Sequence, residues 1–254
     1  MIRGTTISIL VAAAAALPAA GSSAQSMMFN FDNGVTPLAI GQPAPSVLVV
    51  ENEVGDAWRA QFLNPKSGLL VQTAETMGMI LPGLDGKFLC SAMPSDNTLE
   101  INFDRLLTSV TVNFATLDPA HTRPSTFYVN AYIGTTDGTP AGKVAMVGDR
   151  VRSEYPTGTV TYTTTAGPFD ALRFSVVGEH PQGFAIDSIV VTEERCQADF
   201  DGDDAKAPAL AIQDIFAYLD AWFSMKLRAD FNHDGVTTPS DLLEFVNAWM
   251  LGCP

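Results

Sequence analysis

Apolar and polar residues alternate with a period of two from Phe29 to Thr192. The clearest alternation is the run Leu99, Glu100, Ile101, Asn102, Phe103 and Asp104. Every second residue of a strand points to the same face, so the pattern predicts half-buried antiparallel strands. Further runs of this kind cover residues 110–114, 127–133 and 172–176, separated by turns rich in Gly, Pro and Asp. About nine to eleven strands without a long helix predict a mainly β domain, a β-sandwich of jelly-roll type.

The end of the chain changes to helical spacing. Two segments carry apolar residues at i, i+1, i+4, i+7 and i+8: Ile215, Phe216, Leu219, Trp222 and Phe223, then Leu242, Leu243, Val246, Trp249 and Met250. This spacing places each set on one stripe of an α-helix. We therefore expect a small all-α domain with two helices after the β-sandwich.

An acidic loop, residues 230–241, leads into the second helix. Oxygen-bearing groups fall at positions 1, 3, 5, 7, 9 and 12, and Gly235 stands at position 6, where the loop must reverse sharply. This is the spacing of an EF-hand calcium loop, which wraps alternating ligands around one hard cation. The expected ligands, with Val236 contributing its main-chain carbonyl group, are Asp230, Asn232, Asp234, Val236, Thr238 and Asp241.

A second copy of the loop leads into the first helix. Its expected ligands are Asp199, Asp201, Asp203 and Asp214. The closing acids of the two copies are 27 residues apart and the opening acids 31, so the first loop holds four extra residues, within 204–208. It also has Ala211 at the water-binding position. We expect calcium at one strong site, in the second loop, and at one weaker site; the alternative for each loop is a solvated acidic turn.

The net charge of the chain limits the classes of partner that it can bind. The formal net charge is −14, and residues 196–254 hold ten acids against three bases. Nucleic-acid binding needs clustered Lys and Arg, and these are absent, so the composition excludes a nucleic-acid partner. We place the β-sandwich domain at residues 25–195 and the calcium-binding domain at residues 196–254.

Residues 1–24 have the form of a secretory signal peptide. Arg3 supplies the positive start, residues 7–17 the apolar run, and residues 22–24 the small-residue cleavage site. The apolar run is much shorter than the roughly 20 residues that cross a bilayer, so we expect no transmembrane anchor. The sequence predicts a secreted or cell-surface protein cleaved after Ala24.

Three cysteines remain in a chain expected to be exported, where disulfides are permitted. Cys196 and Cys253 bracket the duplicated unit, and we expect a disulfide between them. Closing such a long loop contributes roughly 4 kcal/mol in the chain-entropy model. Cys90 would then be left over, either as a buried thiol on a strand or as a reactive or intermolecular cysteine.

Two calcium loops, each followed by one helix and closed by aspartate at position 12, resemble a dockerin domain over residues 196–254. Dockerins bind cohesin modules and tether secreted proteins to scaffolds or cell surfaces. The resemblance therefore implies a cohesin-like or surface scaffold partner. The paired Ala-Trp helix ends and the terminal Gly-Cys-Pro resemble the dockerin-like tails of bacterial surface and secreted proteins more than cellulosomal ones.

The β domain resembles the lectin-like and carbohydrate-binding jelly rolls of exported bacterial proteins, through residues 29–32, 127–134 and 183–191. In such sandwiches, acids near the ends of the first and last strands often hold a structural calcium. The resemblance implies that role for Asp32 and Asp187; the alternative is a turn cap and an edge acid bonded to main chain.

Sugar-binding sandwiches place exposed aromatic faces against pyranose rings. The candidates for a glycan platform are Trp58, Tyr128 and Tyr132. The alternative is that Trp58 lies in the core and the tyrosines only cover the second face of the sheet.

An enzyme has little support in the sequence. Glycoside hydrolysis needs two suitably spaced carboxyl groups, and Glu51 and Glu53 on one strand face are better explained as solvated acids. Motifs for serine nucleophiles, zinc hydrolysis and phosphate binding are absent. Our first hypothesis is an exported, non-catalytic calcium-binding protein whose sandwich, with a polysaccharide as its candidate ligand, is attached through the dockerin-like tail. The alternatives are a small polysaccharide-degrading enzyme with a dockerin appendage and a purely structural surface protein.

Overall fold

The computed structural model describes residues 25–51, 57–63, 69–91, 98–117, 125–134, 136, 139–150, 155–165, 167–178, 183–193, 196–201 and 210–252. Within these residues the chain forms eleven strands, as the alternating pattern predicts. They are β1 (Ser26–Phe29), β2 (Val47–Glu51), β3 (Ala57–Leu63), β4 (Leu69–Thr73), β5 (Lys87–Ser91), β6 (Thr98–Thr116), β7 (Thr126–Tyr132), β8 (Gly142–Val147), β9 (Thr157–Thr163), β10 (Phe169–Val177) and β11 (Phe184–Glu193).

All eleven strands are hydrogen-bonded into one sheet, and strand β6, with 19 residues, runs through both of its layers, each of which is called a sheet below. Its first half pairs with β3 and β10, and its second half pairs with β9 and β11. The first sheet therefore has the order β2-β3-β6-β10-β7-β8. The second has the order β4-β5-β11-β6-β9, and β1 pairs with the end of β11. All of these pairs are antiparallel.

Aromatic side chains join the two sheets. Phe114 of β6 stacks on Phe127 of β7 with ring centroids 4.4 Å apart, and Phe184 of β11 meets Phe127 edge-on at 6.0 Å. Phe29 of β1 contacts Phe103 in the first half of β6 at 5.7 Å. Apolar side chains thus fill the space between the two inner faces, which is the packing of a β-sandwich.

The predicted alternation agrees with the observed burial at most positions of these runs; Asp104, Tyr132 and Ile133 are exceptions. Leu99, Ile101 and Phe103 are buried, as expected for one face of a half-buried strand. Asp104 is also buried, although it belongs to the polar series, because the C-terminal part of the chain covers it. Ile133 is exposed because β7 ends at Tyr132, one residue earlier.

Most helical structure lies in the tail, residues 196–252. Apart from the single turn α1 (Ala74–Met77), the helices are α2 (Ile212–Phe223) and α3 (Pro239–Leu251), with a 3-10 turn at Leu227–Ala229 between them. Both predicted helices are therefore confirmed. The buried face differs from the predicted stripe: the fully buried apolar residues of the two helices are Tyr218, Ala221 and Phe245. Four predicted stripe residues at repeat-equivalent positions are exposed: Phe216, Phe223, Leu243 and Met250.

The tail packs directly against the β-sandwich. Arg228, in the 3-10 turn, places Nε 3.1 Å from a carboxylate oxygen of Asp170 on β10, and both side chains are buried. The Gln197 side chain accepts a hydrogen bond from the Leu106 N–H (3.1 Å) and donates one to the Leu106 carbonyl (3.3 Å). Buried polar contacts of this kind hold the tail in one position on the sandwich.

Candidate metal centre

The second acidic loop folds around its own carboxylates. Gly235 donates its N–H to Oδ2 of Asp230 at 2.7 Å, across the sharp reversal at position 6. Gly235 has φ +97°, a conformation that glycine adopts without steric cost. The closing acid, Asp241, accepts from the N–H of Asn232 at 3.1 Å and from the N–H of Thr238 at 2.6 Å. Position 12 is thereby tied to positions 3 and 9.

The first loop repeats these contacts. Asp214 accepts from the N–H of Asp201 at 3.3 Å and from the N–H of Ala211 at 2.8 Å, again positions 3 and 9. Ligand-atom positions of Asp199, Asp201 and Asp214 all lie within 4.8 Å of one another. Asp203 and the four-residue insertion lie outside the described residues.

Both loops have the donor set that a hard cation prefers. Oδ1 of Asp230 is buried and has no hydrogen-bond donor from the described part of the protein. Burial raises the pKa of Asp230, and the neighbouring charges of Asp241 and Asp234 raise it further, against the lowering effects of Gly235 and Arg59. Carboxylates crowded in this way are stabilised when a cation shares their oxygens.

The two loops differ in how their acids are arranged. In the first loop three carboxylates converge, although sequence reasoning expected it to be the weaker site. In the second loop Asp234 accepts from the N–H of Val236 at 2.9 Å and from the side-chain amide of Asn232 at 3.2 Å. Position 3 is Asn232 in the second loop and Asp201 in the first, so the second loop has one negative charge fewer at this position. The first loop therefore concentrates more charge on one point among its described residues.

Symmetry between the repeats organises the tail. Tyr218 and Phe245 occupy equivalent positions and stack with centroids 4.1 Å apart and ring planes 3° apart. Phe200 and Phe231, at position 2 of the two loops, pack edge-on against this pair. The duplicated units thus pair through a shared aromatic core.

The Ala-Trp helix ends noted in the sequence serve the same pairing. Trp222 of α2 donates its indole N–H to the carbonyl of Thr238, at position 9 of the second loop, at 3.3 Å. Trp249 of α3 donates to the carbonyl of Ala211, at position 9 of the first loop, at 3.1 Å. Each helix therefore fixes the loop that belongs to the other repeat.

An arginine of the sandwich contacts the second loop. Nη1 of Arg59, on β3, lies 3.0 Å from Oδ2 of Asp230, and Nη2 donates to the carbonyl of His233 at 2.6 Å. Asp104 lies beside them, 3.7 Å from Nη1 of Arg59 and 3.6 Å from Nδ1 of His233. Sequence reasoning missed this cluster. Arg59 looks like any outward residue of a half-buried strand, and no local pattern links it to the tail.

Asp32 and Asp187 come together at the turn before β5, but their oxygens contact protein donors. Asp32 accepts from the N–H of Lys87 at 2.9 Å and pairs with its ammonium group at 3.5 Å. Asp187 accepts from the N–H groups of Asp85 (3.1 Å) and Ser188 (2.6 Å). These contacts are those of a turn cap and a main-chain anchor, the alternative to a metal site, and a structural calcium at Asp32 and Asp187 stays a prediction.

The predicted aromatic platform is not formed. Trp58 is 1% exposed and lies in the core, with the guanidinium of Arg105 4.5 Å from its ring centroid. Tyr132 is also buried, under the guanidinium of Arg173. Only Tyr128 is partly exposed. Trp58 and Tyr132 therefore cannot offer open faces to a sugar, and burial of Trp58 is the alternative that the sequence left open.

The remaining candidate residues are two glutamates and three cysteines. Glu51 is exposed at the end of β2, and Glu53 lies outside the described residues. Cys90 is a free, buried thiol, and burial raises its pKa to about 12, which disfavours the reactive thiolate. Cys196 is buried, whereas Cys253 lies outside the described residues, so the bridge between them stays a prediction.

Residues 1–24, the expected signal peptide, also lie outside the described residues. Within the described part of the chain, none of the helices has the length and apolar character needed to span a membrane.

Comparisons with known proteins give distant likenesses only. No family model and no curated protein matches the chain. Among solved structures, the K2 cleaved adhesin domain of Lys-gingipain is similar over 66% of this chain and 99% of its own, with 12% identity and a TM-score of 0.43. The module CsCBM6-3 of Clostridium stercorarium, solved with cellobiose, covers 57% of this chain and 93% of its own, with 18% identity and a TM-score of 0.30.

A further similar structure is the arabinose-bound α-L-arabinofuranosidase MgGH51, with 10% identity and a TM-score of 0.38 over 65% of this chain and 26% of that one. Likenesses at this distance establish neither a family nor a ligand.

Proposed function

We propose that this protein is an exported, non-catalytic calcium-binding protein in which the duplicated tail binds the ion and attaches the β-sandwich to a surface or scaffold. The observation that carries the calcium proposal is the repeated contact pattern. In both copies the position-12 aspartate accepts N–H groups from positions 3 and 9. Two loops of different length and sequence share these two contacts, one of which is also the capping box of the following helix, and this agreement supports a common ligand.

Calcium would act on the tail by linking metal binding to order. Without the ion, the acids of each loop repel one another, which opposes the pairing of α2 and α3. With the ion, the carboxylates share a divalent charge and the two helices are held through their loops. Extracellular calcium modules of this kind commonly need ion on the order of 10⁻⁴ to 10⁻³ M. The ligands we assign are Asp230, Asn232, Asp234, Val236, Thr238 and Asp241 in the second loop and Asp199, Asp201, Asp203 and Asp214 in the first.

The attachment role rests on the dockerin resemblance and on the outer faces of the helices. Phe216 and Leu243 are equivalent in the two repeats, and both are more than 60% exposed. Large apolar side chains exposed at equivalent positions favour contact with another protein. The signal peptide, cleavage after Ala24 and the Cys196–Cys253 bridge belong to the same proposal, since each suits an exported module.

Glycan binding by the β-sandwich, which the sequence predicts to be of jelly-roll type, is a second candidate function. It is favoured by the outer face of the first sheet, where Tyr128 is partly exposed and Asn130 follows on the same face. On the neighbouring strands Arg173 pairs with Glu100 at 2.8 Å. Aromatic and planar polar groups side by side are what sugar hydroxyls and ring faces require. A glycan array with the chain from residue 25 onward tests this candidate; binding lost in Tyr128→Ala supports it, and no binding contradicts it.

Calorimetric calcium titration of the chain from residue 25 onward tests the proposed function. We expect two binding events in the unmodified chain, accompanied by changes in the fluorescence of Trp222 and Trp249. Asp241→Asn and Asp214→Asn should each weaken one event by roughly tenfold or more, because each removes a ligand charge. Asp220→Asn is the matched control, an exposed acid of α2 outside both loops. No saturable change up to tens of millimolar calcium would contradict the proposal.

A further inference from the structure

The second calcium loop is completed by a side chain from the β-sandwich. Arg59 lies on β3, whose inner positions Trp58 and Ala60 are buried, so its side chain leaves the sheet on the outer side. It reaches the first ligand of the loop, with Nη1 3.0 Å from Oδ2 of Asp230. The two residues are 171 positions apart in sequence. The loop that the sequence suggests is autonomous therefore has a cation contributed by the other domain.

The contact is closely packed. Nη2 of Arg59 donates to the carbonyl of His233 at 2.6 Å, so one guanidinium binds both the acid at position 1 and the main chain at position 4. A Cβ placed on Gly235, at position 6, would come within 3.2 Å of Nη2. Arginine binds a carboxylate and a neighbouring acceptor in a fixed plane, which fixes geometry as well as charge.

Burial makes this contact important for the loop. The Arg59 side chain is 12% exposed and that of Asp230 is 4% exposed. Asp104, which is 1% exposed, lies 3.7 Å from the same guanidinium. Arg59 is therefore close to two buried carboxylates, and removing it would leave Asp230 without this ion pair and Asp104 with the more distant Nε of Arg105, at 3.9 Å.

The arginine contacts one oxygen of Asp230 and not the other. Oδ2 is held by Arg59 and by the N–H of Gly235 at 2.7 Å. Oδ1 is buried without a protein donor among the described residues. The guanidinium thus fixes the rotation of the carboxylate while one oxygen stays available to a ligand.

We infer that Arg59 is a positioning residue for the second loop: it holds Asp230 in the metal-binding orientation and offsets part of the charge repulsion while no metal is bound. This inference rests on the proposed calcium function and deepens it. It assigns to the sandwich a part in metal binding that the tail would otherwise perform alone. The second loop then keeps much of its order when calcium is removed, because a fixed cation remains beside Asp230.

Hydrogen exchange of loop amides in the chain from residue 25 onward, with EGTA and with saturating calcium, tests the inference. The reporters are the N–H groups of Gly235 and Asn232 in the second loop, with those of Asp201 and Ala211 in the first loop as internal reference. In EGTA we expect Arg59→Met to speed exchange at Gly235 and Asn232 by roughly tenfold or more, because one side of a buried ion pair is lost. Calcium should then restore protection by a larger factor in the variant than in the unmodified chain.

Three further variants separate the effect of the Arg59 charge from the effect of its planar geometry and from a general loss of folding. Arg59→Lys keeps the charge without the planar fork, so its exchange should lie between the unmodified chain and Arg59→Met. Arg173→Met removes an arginine that pairs with Glu100 on the same sheet, and it should leave the second loop unchanged. Arg59→Met combined with Asp104→Asn removes the stranded acid; sandwich amides should stay protected while the second loop still exchanges quickly.

The outcomes are distinct. Protection in EGTA that is unchanged in Arg59→Met overturns the inference, and so does equally fast exchange in Arg59→Lys and Arg59→Met. Fast exchange throughout the sandwich in the double variant also overturns it, because the effect would then be a general loss of folding. If the unmodified chain gains no protection with calcium and shows no saturable binding, the proposed function fails, independently of Arg59.

Discussion

Buried carboxylates in this protein differ in whether protein donors use all of their oxygens. Both oxygens of Asp187 accept main-chain N–H groups, so this residue anchors a turn. Asp230 also accepts a main-chain N–H, but only at Oδ2, while Oδ1 is buried without a protein donor among the described residues. An acceptor left unpaired in the interior is costly unless a ligand meets it. In Asp241 and Asp214 both oxygens also accept main-chain N–H groups, so the buried Oδ1 without a protein donor distinguishes Asp230 from all three of these acids.

The anchoring role of Asp187 predicts a pH dependence of stability. Burial raises the pKa of Asp187 to about 6, from 3.8. The folded protein therefore binds this proton more tightly than the unfolded chain, and the stability that the residue contributes falls as pH rises from about 4 to about 6. We compare the free energy of unfolding of the unmodified chain with that of Asp187→Asn. The difference should favour the unmodified chain by on the order of 1 kcal/mol more at pH 4 than at pH 7.

Urea denaturation of both proteins at the two pH values measures this difference. Asp220→Asn, an exposed acid, serves as the control and should show no comparable change. A relative stability of Asp187→Asn that is the same at both pH values would contradict the prediction.

At the scale of single residues, the sequence predicts those roles that are set by local spacing. The candidate ligands of the second loop follow from alternation over twelve positions. The structure shows that Asp230 and Asp241 accept main-chain N–H groups of this loop, and calcium binding there stays a prediction. The fate of Trp58 could not be predicted, because an aromatic residue in an alternating strand suits either face. Arg59 could not be predicted either, since its partner lies 171 positions away.

At the scale of elements, the two sheets of the sandwich and the two repeats of the tail are joined in different ways. Strand β6 is long enough to pair with β10 and β3 at one end and with β11 and β9 at the other, so one strand connects both sheets. The repeats are joined by side chains instead, through the stacked rings of Tyr218 and Phe245. Alternation predicts that each strand is half buried, but which strands pair depends on distant contacts that no local pattern contains.

Phe114 links the two sheets and should therefore matter more than an exposed phenylalanine. Its ring is fully buried and stacks on Phe127 at 4.4 Å. We expect Phe114→Ala to lower the free energy of unfolding by about 3 to 5 kcal/mol, from lost burial and the cavity that remains. Phe216→Ala makes the same chemical change at an exposed site of α2 and should cost less than about 0.5 kcal/mol. Urea denaturation with calcium present compares them; similar losses would contradict the assigned core.

At the scale of the whole molecule, the tail and the sandwich are joined by buried ion pairs. Arg59 of β3 meets Asp230 at 3.0 Å, and Arg228 of the tail meets Asp170 at 3.1 Å. A freely tethered tail would keep such charges in water, where they need no fixed partner. The sequence predicts a division at residues 195 and 196, and these contacts join the parts on either side of it.

The shared contacts predict how the molecule melts. Because calcium is proposed to bind the folded tail and the tail is packed on the sandwich, the ion should stabilise both parts together. We expect one calorimetric transition for the chain from residue 25 onward, displaced to higher temperature by calcium. At a free concentration of 100 times the dissociation constant, one site contributes about 2.7 kcal/mol.

Arg228→Met should uncouple the parts, because it leaves Asp170 buried without its ion-pair partner. That variant should show two transitions, only one of which moves with calcium; two transitions already present in the unmodified chain would mean that the buried ion pairs do not couple tail and sandwich.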